Sequence, residues 1–149
     1  MKSRKAKPTT KEVLHLQEIV LRAVLEGKPL PGSSQAIRFP DLAFVQRHES
    51  IYVAAEEMKG KVAAGGAPKP VRIVPLAALR TKAKEGGGLA YLQFGPPHIE
   101  ADSVELTLEG RMATADPKEP SLGLSSIHVK FRKVEGRWEA QGEPIFSAN

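Results

Sequence analysis

The sequence predicts an α+β fold: an N-terminal helix packed on a curved antiparallel sheet that closes in a C-terminal meander. Three observations predict it. Apolar residues recur at spacings of three and four over residues 10–26. They recur at every second position in two stretches of the last third. The segments richest in Gly and Pro fall between these patterns and not inside them. A chain of 149 residues has the length of one domain and can bury a core without staples. The expected organisation is a flexible basic leader at 1–8, then a single domain over 9–149 with a flexible loop at 59–70.

The helix is marked at both ends by its own signals. Thr9 and Glu12 match a capping box, with Thr10 as a competing cap. Val13, Leu14, Leu16, Val20, Leu21, Val24 and Leu25 form one broad apolar face, while Lys11, Gln17, Glu18 and Arg22 fall mostly toward the other side. Gly27 suits a C-cap, and Pro29 and Pro31 prevent continuation. In the long connection that follows, Ile37 and Phe39 suggest a short strand before Pro40. Asp41 is placed to cap a turn holding Leu42, Phe44 and Val45.

Ile51–Ala55 has β-branched and aromatic character and reads as a strand with Ile51, Val53 and Ala55 inward. Gly and Pro over 59–70 mark the loop. Val71–Val74 reads as a strand closed by Pro75, followed by a short helix carrying Leu76, Ala77, Leu79 and Ala83 into Gly86-Gly87-Gly88. Leu89–Phe94 is a strand ended by Gly95-Pro96-Pro97. Val104, Leu106, Leu108, Gly110 and Met112 share one parity, with Glu105, Thr107, Glu109 and Arg111 on the other, as a sheet with one dry and one wet face requires. Ile127, Val129 and Phe131 alternate with His128, Lys130 and Arg132 before a turn at Glu135-Gly136 and a return strand at 137–140. Ile145 and Phe146 are expected to pin the terminus. The wet faces leave one side of the sheet for the helix to cover.

Composition removes several chemistries. There is no cysteine, hence no disulfide, thiolate nucleophile or cysteine-ligated metal. The net charge of +5 belongs to the leader: Lys2, Arg4, Lys5, Lys7 and Lys11 occur without an acid, leaving 17 basic and 17 acidic side chains over 12–149. No run approaches the roughly 18 apolar residues of a membrane span. The leader is followed by Thr9-Thr10-Lys11-Glu12, not by the apolar stretch of a signal peptide. As written, the chain is expected to be cytoplasmic, or extracytoplasmic if an upstream signal has been removed.

Glu18, Ala23 and Leu25 in the helix, Ala101–Leu106, and the ending Val129–Trp138 together resemble small bacterial cystatin-like and NTF2-like α+β domains. In those, an N-terminal helix packs into a curved antiparallel sheet. The resemblance covers 10–26 and 89–142. It implies a fold, and for function a choice among enzymes, ligand binders and assembly modules.

Four histidines are present, His15, His48, His98 and His128, and none stands at zinc-ligand spacing from another. His15 lies at the helix margin, and His48 adjoins Glu49. The catalytic candidates are His98, His128 and Asp102. His98 would serve as a general base oriented by Asp102 or Glu100, since an imidazole titrates near neutrality. Against this, a histidine near acids is common by chance. Ser103, Ser125 and Ser126 lack a nucleophile elbow. The glycine runs fit no phosphate-binding pattern. Lys130, Arg132, Lys133 and Arg137 form a basic stretch that could meet phosphates, but cross-strand pairing with Glu105 and Glu109 accounts for the same residues. No cofactor or metal is implied.

The reading that follows is a non-enzymatic binding or assembly module with a homo-oligomeric or protein partner. The alternatives are an NTF2-like enzyme or small-molecule binder using a loop or sheet histidine, and weak nucleic-acid association, the less favoured partner.

Overall fold

The computed structural model describes residues 8–39, 42–58, 69–116, 118, 122–142 and 144–148. The basic leader to residue 7 and the loop core at 59–68 lie outside them.

α1 spans Thr10–Glu26 and begins and ends as its sequence requires. The Thr9 hydroxyl accepts from the Glu12 amide, and the Glu12 carboxylate accepts from the Thr9 amide. Gly27 closes the helix at φ 65°, a left-handed geometry that glycine adopts without a Cβ penalty. Val13, Leu16, Val20, Leu21, Val24 and Leu25 are buried. Gln17 departs from expectation: it is 1% exposed. Its amide is satisfied by donating to the Glu57 carbonyl at 2.7 Å, which makes the burial affordable. Ile37 and Phe39 are buried, but they form no strand; an isolated bridge joins Pro29 to Ala36. α2 is one turn, Leu42–Val45.

The remaining elements are β1 (Ile51–Ala54), β2 (Val71–Val74), α3 (Leu76–Gly86), β3 (Leu89–Phe94), β4 (His98–Ile99), β5 (Ser103–Ala113), β6 (Leu122–Val134), β7 (Arg137–Ala140) and β8 (Ile145–Ala148). The strands form one curved sheet in the order β2-β1-β3-β5-β6-β7, with β4 on β5 and β8 on β6. The expected fold class therefore holds, with one difference. β1 is parallel to both β2 and β3, so one side of the sheet is parallel and the rest antiparallel. The physical reason is α3. Parallel strands need a crossover, and α3 carries the chain from β2 past β1 to β3.

α3 also overturns the expectation that a helix covers one side only. Ile51 and Val53 of β1 face the α1 core, with Ala90, Leu92 and Phe94, Leu106 and Leu108, and Ile127, Val129 and Phe131. Tyr52 and Ala54 face the opposite side, where Leu79 and Ala83 of α3 pack with Leu89, Tyr91 and Ala113. β1 is buried on both faces, so its four apolar residues show no alternation.

Farther along the sheet the wet face returns. The alternation over β5 and β6 is as expected, broken by a bulge in β6: Glu109 pairs with Ser126, but Arg111 pairs with Gly123. Glu135 (φ 49°) and Gly136 (φ 80°) make the tight hairpin turn into β7. β7 and β8 then run in line along β6, on the edge away from β5. Gly142, at φ 68°, lies in the break between them. Ile145 and Phe146 do not pin the terminus by burial, for they are 63% and 43% exposed. The ladder from Ser125 to His128 holds β8 instead.

Candidate functional site

On the face opposite α1, the wet strands meet the exposed flank of α3. Gln93 of β3 and Glu109 and Arg111 of β5 point to this side, beside Tyr91. The register dictates this: Tyr91 lies opposite Arg111 and Gln93 opposite Glu109. Arg80 on α3 and the Glu56-Glu57 turn after β1 complete a cleft of about 340 Å³. Both oxygens of Glu56 accept from the Leu76 amide, at 3.0 and 3.2 Å, so a carboxylate from a distant turn caps the first turn of α3. Glu57 is fixed through its backbone by Gln17. Arg111 donates to Glu109 at 2.7 Å. Its pKa is raised: burial works against the charge, but the bond to Glu109 and the neighbouring Tyr91 outweigh it. Sequence reasoning passed over this cleft. Arg80, Glu57 and Gln93 belong to three elements and share no spacing that marks them.

The histidines stand apart from one another. His98 sits on β4 opposite Glu105, and its Nε2 lies 3.2 Å from Glu100. Asp102 is engaged elsewhere, by Arg132 Nε at 3.4 Å. His128 Nδ1 lies 2.9 Å from the Thr107 hydroxyl across the β5–β6 ladder. His48 precedes β1, and its Nε2 accepts from the Ala90 amide at 3.1 Å, which requires a neutral ring protonated on Nδ1. Burial, then the charges of Arg47 and Lys69, lowers its pKa. Lys69 donates to the carbonyls of Gln46 and His48, holding that loop against β2. Among the described residues no three His, Cys, Asp or Glu side chains are grouped to hold a metal.

The basic stretch divides between the two faces. Lys130, Arg132 and Arg137 lie on the wet face, with Glu105 opposite Lys130 and Glu139 opposite Arg132. Lys133 lies on the α1 face with Trp138. There Lys133 Nζ donates to Glu12 at 3.2 Å, and Trp138 Nε1 donates to the same oxygen at 3.1 Å.

A third feature is the margin formed by β8. Three of the exposed large apolar residues, Leu122, Ile145 and Phe146, lie on the first half of β6 and on β8. β8 pairs with β6 on one side, and among the described residues no strand pairs with its other edge. No helix among the described residues is long and apolar enough to cross a membrane.

Comparison with known proteins finds no matching family model, no matching curated protein and no matching solved structure. The molecule is thus placed by its architecture, a small α+β domain with an N-terminal helix on a curved half-barrel sheet.

Proposed function

We propose that the chain is a non-enzymatic assembly module of cystatin-like or NTF2-like build, and that it pairs with a second copy of itself through β8. The carrying observation is a strand edge that no other strand among the described residues pairs with, bearing exposed Ile145 and Phe146. Such edges template strand addition unless blunted by shortness, charge, proline or a bulge. β8 is short, four residues after Pro144, but Ile-Phe-Ser-Ala carries no charge, proline or bulge within it. A second copy supplies a strand of the same uncharged, apolar character, so no like-charge contact opposes it. Antiparallel pairing about a two-fold axis at Phe146 sets the two phenyl rings on one face and opposite each other. A cross-strand aromatic pair contributes roughly 0.2–1 kcal/mol beyond the ladder bonds. Leu122, just before the β8-paired part of β6, extends the same margin.

The test is molar mass by light scattering or sedimentation equilibrium over a wide concentration range. A dimer is expected, returning to monomer in Ile145→Lys, Phe146→Lys and the double variant. Near-ultraviolet circular dichroism from Trp138 reports whether the fold survives. A wild-type chain that stays monomeric at every concentration, or a dimer indifferent to all three variants, overturns the reading.

A further inference from the structure

We propose that the cleft between α3 and the sheet binds a small zwitterion of amino-acid size. This goes beyond self-association and uses other residues. The cleft borders α3, β3 and β5, whereas β8 lies beyond β6.

Its size is the first argument. A volume of about 340 Å³ is at the lower end of small-molecule sites. The state of its polar groups is the second. Glu109 and Arg111 are joined at 2.7 Å and neutralise each other. Glu56 is committed to the Leu76 amide. Three groups keep unused hydrogen-bonding capacity among the described residues: the Arg80 guanidinium, the Glu57 carboxylate and the Gln93 side-chain amide. No buried side-chain polar atom there lacks a partner, so this capacity is turned to solvent and is open to a ligand.

The charges then choose the ligand class. Glu56 keeps its negative charge, which the N-terminal end of α3 partly offsets. The groups without a partner among the described residues are then one cation, Arg80, one anion, Glu57, and one neutral amide, Gln93, around a single cleft. An anion alone would satisfy Arg80 and leave Glu57 opposed. A cation alone would do the reverse. A ligand with a carboxylate toward Arg80 and an ammonium toward Glu57 satisfies both, with Gln93 free to donate or accept between them. The walls are set in advance. Gln17 holds the Glu57 backbone, Glu56 holds the start of α3, and Glu109 holds Arg111. The backbone around the cleft is therefore ordered before binding, and the cost that remains is the ordering of the Arg80, Glu57 and Gln93 side chains.

The experiment is an NMR titration of the full chain with L-glutamate, L-arginine and L-phenylalanine in turn. Acetate and methylammonium serve as single-charge probes. At least one amino acid is expected to shift the Gln93 side-chain amide and the Gly95 backbone amide saturably, with acetate and methylammonium far weaker. Arg80→Ala and Glu57→Gln should each weaken that binding about tenfold, the size of one charge-assisted hydrogen bond. Both side chains sit at the surface of their elements, and unchanged dispersion elsewhere in the spectrum reports the fold. No saturable shift with any amino acid overturns the proposal. So does acetate or methylammonium matching the amino acids, or binding indifferent to both substitutions.

Discussion

Replacing Glu12 by alanine tests how the two ends of the chain hold each other. One carboxylate serves four donors: the Thr9 amide at 3.2 Å, the Thr9 hydroxyl at 3.4 Å, Lys133 Nζ at 3.2 Å and Trp138 Nε1 at 3.1 Å. The last two lie 121 and 126 residues away. Losing the helix-capping half of the contact costs about 0.5–1 kcal/mol. Losing the Trp138 bond adds about 1 kcal/mol, reduced from the value for a buried charged acceptor because the Glu12 side chain is 31% exposed. Lys133 adds a few tenths at most, being more exposed still. The sum is about 2 kcal/mol, or a fall in Tm of roughly 4–8 °C for a chain of this size.

The assay is thermal and urea unfolding of Glu12→Ala, Trp138→Phe and the double variant. The cycle should return a coupling of about 1 kcal/mol. The same contact sets an acid dependence. The Thr9 amide first, then Trp138, holds the Glu12 pKa below 4.5. A carboxylate depressed in the fold contributes stability that is complete above that value and lost as pH falls through the folded pKa. Glu12→Gln should flatten this part of the acid limb. Strict additivity of the two substitutions, with no change in the acid limb, would refute the reasoning.

Other expectations follow from particular contacts. His48 is depressed below 6.5 by burial and by Arg47 and Lys69, so its contribution is complete above about pH 6.5 and is lost as pH falls toward the folded value. His48→Ala should remove that slope and lower stability by about 1–3 kcal/mol by orphaning the Ala90 amide, both read by unfolding across mildly acidic pH. Phe131 is fully buried against the α1 face of the sheet, so Phe131→Ala should cost about 3–5 kcal/mol, whereas Lys130→Ala next to it should stay within about 0.5 kcal/mol in the same denaturation series. Gly32 sits at φ 83°, and an added Cβ would lie 2.9 Å from the Glu139 Cβ. Gly32→Ala should therefore cost more than the roughly 1–2 kcal/mol of left-handed strain, and faster exchange of the Ala140 amide, which donates to the Pro31 carbonyl at 2.7 Å, would show the loop leaving β7.

Local rules placed the ends of α1, because Thr9, Glu12 and Gly27 act within one helical turn. Strict alternation placed the dry faces of β5 and β6, because one side of those strands meets water. It marked β1 and its inward Ile51 and Val53 but not the burial of Tyr52 and Ala54 on the far face. The unexpected burial of Gln17 depended on a carbonyl 40 residues away. His98, Asp102, His128 and the basic hairpin were visible as residue types, but their partners depend on cross-strand register, which no spacing reveals.

The sequence by itself determined everything governed by periods of two and 3.6 and by the backbone preferences of Gly, Pro and capping residues: the helix, the meander, and the absence of thiol chemistry. Only the tertiary structure decided that three strands run parallel, that a second helix covers the far face, that Arg80, Glu57 and Gln93 share a cleft, and that no strand among the described residues covers the outer edge of β8. The physical reason is reach. Periodicity reports whether a residue meets water or the core. Which distant residue it meets there is fixed by how the strands pair.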